Sequence, residues 1–173
     1  MRISDYFKLD RGQAELDFVN VDLGRDSPFF VDPSTLRHMS DNWARECVAL
    51  LQSFFDRVLA DIKAGRHEHA RGLLYELAEP NETRLGLSAG PPQGRGVDVG
   101  IAYKMWEALS GSTAATTGLL EDLEDTGLLI PGIGDDIVSN IVTNVIRGPF
   151  IRYTQGVCEF YGIPMQAKVP SGV

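Results

Sequence analysis

The sequence predicts a mainly α-helical single domain of about six helices, with a short β-hairpin at its N-terminal end. Two observations carry this expectation. Apolar residues recur at spacings of three and four through most of the chain beyond Ser40, and Gly and Pro clusters punctuate those stretches. The apolar runs of strand type all lie before them. At 173 residues, 43% hydrophobic and 23% charged, the chain suits one domain with a buried core, and it is neither a linker nor a disordered tail.

From Ala14 to Asp32 the runs Leu16-Asp17-Phe18-Val19-Asn20-Val21 and Phe29-Phe30-Val31 flank the turn-forming Gly24-Arg25-Asp26-Ser27-Pro28, which predicts the hairpin. Asp32-Pro33-Ser34 stops the second run. Ser40, Asp41 and Asn42 offer N-caps for a long helix to Lys63, with Trp43, Cys47, Leu50, Leu51, Phe54, Val58 and Ile62 on its apolar face and Gly65 as its stop. A second helix is expected over Arg66 to Ala78, since Ala70, Leu73, Leu74 and Leu77 turn inward and Pro80 forbids continuation.

Gly86 to Gly96, with four glycines and two prolines, reads as a loop. Val97, Ile101, Met105 and Leu109 step by four and define a third helix; Thr113 to Asp125 gives a fourth. Ile133, Ile137, Val138, Ile141, Val142, Val145 and Ile146 form a fifth, whose wide apolar face predicts a central position. Gly148-Pro149 is expected to break it, and Phe150 to Tyr161 to supply a sixth helix before a tail opens at Gly162-Ile163-Pro164. The domain is expected to occupy residues 1 to 164. Residues 165 to 173 then form a tail or the start of a further portion.

Charge narrows the function classes. Sixteen Lys and Arg against 24 Asp and Glu leave −8, which argues against direct nucleic acid binding driven by displaced counterions. No apolar run approaches the roughly 20 residues of a membrane helix, and Met1 to Tyr6 carries no signal-peptide core, so a cytoplasmic location without membrane attachment is expected. Cys47 and Cys158 lie in amphipathic stretches, as reduced core thiols do.

The fifth helix holds the most informative polar pattern. Asp136, Asn140, Thr143 and Arg147 share one face, and Ser139 and Asn144 lie nearby, whereas exposed faces favour Lys, Glu, Arg or Gln. The plainer account is a buried polar seam whose groups bond to the rest of the fold. The functional account is a small-molecule, metal or phosphate site, with Asp136 as acceptor and Arg147 as the anion contact. Glu82 and, from the Gly94-Arg95-Gly96 end of the loop, Arg95 join Asp136, Asn140, Thr143 and Arg147 as ligand-binding candidates.

Pro131-Gly132-Ile133-Gly134 followed by a helix resembles a helix-hairpin-helix element of DNA-binding proteins, which would present backbone N–H groups to a phosphate. It departs from that element at Asp135-Asp136, where a basic residue is expected, and no Lys or Arg occurs between Lys104 and Arg147. Acidic residues admit a second chemistry, a Mg or Mn site for phosphodiester hydrolysis, with Asp22, Asp32, Glu79 and Asp136 as metal-ligand candidates, Glu82 beside them and Arg147 in support. Glu121-Asp122 and Glu124-Asp125 on a short helix are more often a solvated helix end. His67-Glu68-His69 has the wrong spacing for two metal ligands on one helix face, and Ser110 and Ser112 have no evident base.

Glu79-Pro80-Asn81-Glu82-Thr83, Leu120-Glu121-Asp122-Leu123-Glu124-Asp125, Gly132-Ile133-Gly134-Asp135 and Tyr153-Thr154-Gln155, together with Cys158 and Tyr161-Gly162-Ile163-Pro164, resemble strings of an uncharacterised bacterial family. The resemblance runs from about Leu16 to Pro164 and implies phage-defence or mobile-element neighbourhoods, with no activity attached. The favoured expectation is a cytoplasmic helical interaction or regulatory module of a bacterial multiprotein system, with a protein partner or a second copy of itself and no cofactor. The alternatives are the Mg- or Mn-dependent phosphodiesterase or nuclease and the helix-hairpin-helix-like DNA binder.

Overall fold

The computed structural model describes residues 1 to 24, 29 to 77, 99 to 111 and 135 to 168. Among these it holds seven α-helices: α1 (Ile3–Tyr6), α2 (Pro33–His38), α3 (Asn42–Lys63), α4 (His67–Tyr75), α5 (Val99–Gly111), α6 (Asp135–Val145) and α7 (Arg147–Tyr161), with one 3-10 turn at Gln13–Glu15. The Gly86 to Gly96 loop, the Thr113 to Asp125 helix and the Pro131 to Gly134 turn lie outside the described residues.

Helix α3 is the longest element and the hub, touching α2, α4, α5, α6 and α7. Its start is fixed by Asp41, whose carboxylate accepts the Ala44 N–H at 2.8 Å. Cys47, Leu51, Phe55, Val58, Leu59 and Ile62 are buried along it and merge with Ala70, Leu74 and Leu77 beside α4, Ala102, Met105 and Leu109 of α5, and Ile137, Ile141, Val142 and Ile146 beside α6 into one apolar cluster. Each Leu, Ile, Val, Phe or Met among them contributes on the order of 1.5–3 kcal/mol by leaving water, so this cluster decides the helix arrangement. The wide face of α6 is buried as expected, but its neighbours among the described elements are α3 and α7, and α3 holds the central place.

The N-terminal hairpin is not formed: among the described residues there is no strand, only an isolated antiparallel bridge between Arg2 and Asp22. The polar residue inside the first run explains it. Asn20 is buried, its side-chain oxygen accepts the Ser4 N–H at 3.0 Å, and its side-chain nitrogen donates to Ser4 Oγ at 2.7 Å. Ile3 N–H to Val21 O at 3.1 Å and Leu23 N–H to Met1 O at 2.8 Å complete the attachment, so this run pairs with residues 1 to 4 and leaves Phe29 to Val31 to seek other partners.

Two further expectations change. Asp32-Pro33-Ser34 opens a helix: Asp32 caps α2 by accepting the Ser34 N–H at 2.9 Å, and Pro33 takes the first helical position, where its missing N–H costs nothing. Gly148-Pro149 likewise lies in the first turn of α7, so the break falls earlier, at Ile146. Helix α7 ends where expected, with Gly162 left-handed at φ 67° and Ile163 N–H bonded to Cys158 O at 2.8 Å.

Candidate functional site

The polar face of α6 turns into the protein. Ser139 and Thr143 are buried; Ser139 Oγ accepts the Val31 N–H at 2.9 Å, and Thr143 Oγ1 donates to the Ser139 carbonyl at 2.7 Å. Asn140, Asn144 and Arg147 are half-buried, and an Arg147 Nη donates to Asn144 Oδ1. The seam account therefore holds for Ser139 and Thr143, whose hydroxyls hold the fold. The backbone of Asp136 lies in the first turn of α6, while its side chain, like Glu79, Glu82 and Arg95, lies outside the described residues.

The two described metal-ligand candidates are engaged locally. Asp22 Oδ1 takes the N-terminal ammonium at 3.0 Å and the Gly24 N–H at 2.9 Å. Asp32 accepts from Thr35 Oγ1 at 2.8 Å, Ser34 N–H at 2.9 Å and Ser34 Oγ at 3.1 Å, bonds that hold its carboxyl below the usual range, Thr35 foremost. Among the described residues no three His, Cys, Asp or Glu side chains are placed to hold a metal ion together. Nor is any described helix long and apolar enough to cross a membrane.

A different cluster, missed by the sequence reading, forms at the corner between α3 and α4. Asp61 occupies a core-facing slot of α3, one turn after Val58 and beside Ile62, and its side chain is 1% exposed. A carboxylate there requires compensation, because stripping its water costs several kcal/mol. The corner supplies it. Gly65, left-handed at φ 73°, reverses the chain; Gly65 N–H bonds Ile62 O at 3.0 Å and Arg66 N–H bonds Asp61 O at 2.8 Å, the double closure of a Schellman motif. That reversal returns Arg66 onto Asp61, with Nε at 2.8 Å and Nη2 at 2.6 Å from Oδ1. Helix α4 then carries His69 back over the same carboxylate, Nδ1 to Oδ2 being 2.5 Å, while Arg57 Nε stands 3.6 Å from Oδ2.

The electrostatics follow from those contacts. The His69 hydrogen bond, followed by the hydrogen bond and charge of Arg66, holds the Asp61 carboxyl below its ordinary value against the upward push of burial. With Nδ1 committed to Asp61, the second ring nitrogen of His69 is left for other partners. His67 is arranged differently: its Nδ1 lies 3.3 Å from Trp106 Nε1, an indole N–H that only donates, so Nδ1 accepts and the ring proton resides on Nε2. Trp106 is itself held by Arg71, 5.0 Å above its ring, and Arg71 pairs with Glu68. Arg57, Gly65, Arg66, His67, Glu68 and His69 together line an open groove of about 520 Å³. The His67-Glu68-His69 string thus sends its imidazoles to separate partners, one to Trp106 and one to Asp61, in keeping with its spacing.

A third constellation fastens the N-terminal arm to α7. Tyr161 Oη donates to Asp17 Oδ2 at 2.9 Å and accepts the Asp17 N–H at 3.2 Å, Tyr153 Oη donates to the Asp17 carbonyl, and Arg11 lies 5.3 Å over the Tyr161 ring. Its polar groups are spent on one another, which makes it structural.

Neither the curated proteins nor the solved structures contain a match to this chain. The profile of one family, a domain of unknown function designated DUF8370, matches residues 8–173, and the chain belongs to that family.

Proposed function

We propose that the chain is a helical interaction module of a bacterial multiprotein system, phage defence being the setting suggested by its sequence resemblance, and that it recognises an acidic partner segment through the α3–α4 corner. One observation supports this reading above others: in a chain of net charge −8, two arginines and two histidines line one open groove, where a buried carboxylate fixes Arg66 and His69. Cationic groups already held in place lose little freedom when a partner's anionic group arrives, which favours such a segment at this groove.

The test is affinity capture from the bacterial source with the tagged protein, set beside Arg57→Glu, which reverses charge at an exposed guanidinium. A stoichiometric partner held by the wild type and lost from a variant with an unchanged melting curve is the expected result. A partner retained equally by both, or turnover of a nucleic acid substrate by the purified chain alone, overturns the reading.

A further inference from the structure

We propose that the anionic group taken by the α3–α4 groove is a phosphomonoester on a partner protein, held by Arg57, His67 and His69, with Asp61 as their positioning residue. The inference rests on the reading of this corner as a recognition surface and names the chemistry it selects.

The donors that remain after internal pairing define the ligand. Arg66 spends Nε and Nη2 on Asp61 Oδ1, and His69 spends Nδ1 on Oδ2, so both carboxylate oxygens are filled by N–H donors, leaving them poorly suited to a cation. Arg57 is 64% exposed and touches Asp61 only through Nε at 3.6 Å, which leaves its two terminal nitrogens for the groove. His67 Nε2 carries a proton because Nδ1 accepts from Trp106, and His69 keeps its second nitrogen. Two guanidinium groups against one carboxylate leave a positive balance, while Glu68, the acidic residue of the lining, is paired with Arg71.

Three donor side chains on two helices line the one groove. A carboxylate offers two oxygens in one plane and is matched by a single arginine fork; a phosphomonoester offers three oxygens in a tetrahedron and about −1.5 to −2 charge, which suits separate donors on a cationic corner. The Schellman closure at Gly65 fixes where α4 begins relative to Asp61, so the backbone that carries His67 and His69 is already in place before binding.

The experiment titrates the full chain, with backbone and imidazole ¹⁵N NMR and calorimetry, using inorganic phosphate, a short phosphoserine peptide, its serine and glutamate counterparts, and acetate. Phosphate and phosphopeptide are expected to shift His67 and His69 resonances, the phosphopeptide binding at least about tenfold more tightly than either counterpart, with on the order of tenfold lost in Arg57→Ala and in His69→Gln. Asp61→Asn, once shown to be folded, is expected to weaken binding and to shrink the change that phosphate induces in the His69 imidazole ¹⁵N resonances, a ligand-dependent readout that a purely structural role would leave alone; should it not fold, the Arg57 and His69 variants decide. Equal binding of glutamate and phosphoserine peptides overturns the phosphate assignment and spares the recognition surface. Binding of none at this corner overturns both.

Discussion

Replacing Ser139 by Ala and Thr143 by Val separates two kinds of buried hydroxyl on α6. Ser139 Oγ is the acceptor for the Val31 N–H at 2.9 Å, so removing it strands a backbone donor, a loss of about 1–3 kcal/mol, from which up to about 0.5 kcal/mol is recovered because Ala is the better helix former. Thr143 Oγ1 instead donates to the Ser139 carbonyl, one turn back in the same helix, which keeps its helical N–H partner when the hydroxyl becomes a methyl. The net effect of Thr143→Val is therefore within about 0.5 kcal/mol of zero. At about 3 °C per kcal/mol for a chain of this size, Ser139→Ala lowers Tm by about 2–8 °C and Thr143→Val moves it by less than about 2 °C. Thermal unfolding followed by circular dichroism at 222 nm reads both. A silent Ser139→Ala, or a Thr143→Val that costs as much, refutes the assignment of the seam to holding the fold.

Asp61, whose carboxyl lies below its unfolded value, adds stability above the ordinary carboxylate pKa near 3.9, and that contribution disappears as pH falls through its lowered folded value. Urea midpoints measured from pH 6 down to 2 should fall more steeply for the wild type than for Asp61→Asn. Burial pushes the Cys47 thiol up to about 11, and burial raises Cys158 as well, so at pH 8 an aromatic disulfide reagent should react slowly with the native protein, Cys158 first, and with both thiols promptly in denaturant. Gly65→Ala meets no atom within 4 Å yet must adopt a left-handed φ of 73°, so it should cost about 1–2 kcal/mol by urea titration; a neutral result contradicts the corner geometry.

Long periodic elements were legible in the sequence because packing and period agree. Helix α3 is capped by Asp41, one of the three caps the sequence offers, and α7 ends at the predicted glycine. Short elements were not, since their signals have two uses. Asp-Pro-Ser ends a strand or opens a helix with equal ease, and at residues 32 to 34 the caps on Ser34 decide for the helix. The strand-like alternation before Val21 lost to one buried amide, Asn20, whose partners sit 16 residues earlier, a tertiary fact that no window of the sequence contains. For the polar side of α6 the inward direction was readable from its Ser, Asn and Thr content; the partner, Val31, was not. Asp61 carried a usable signal, an acid in a core-facing slot. Its pairing with Arg66 and His69 required the left-handed turn at Gly65 to be known.

The tyrosine clasp between the N-terminal arm and α7 joins atoms 136 to 146 positions apart in the chain. Closing a loop of that length costs more chain entropy than closing the α3–α4 turn, so the clasp belongs to the late contacts of folding. The clasp thus reports whether two parts of the chain distant in sequence have met.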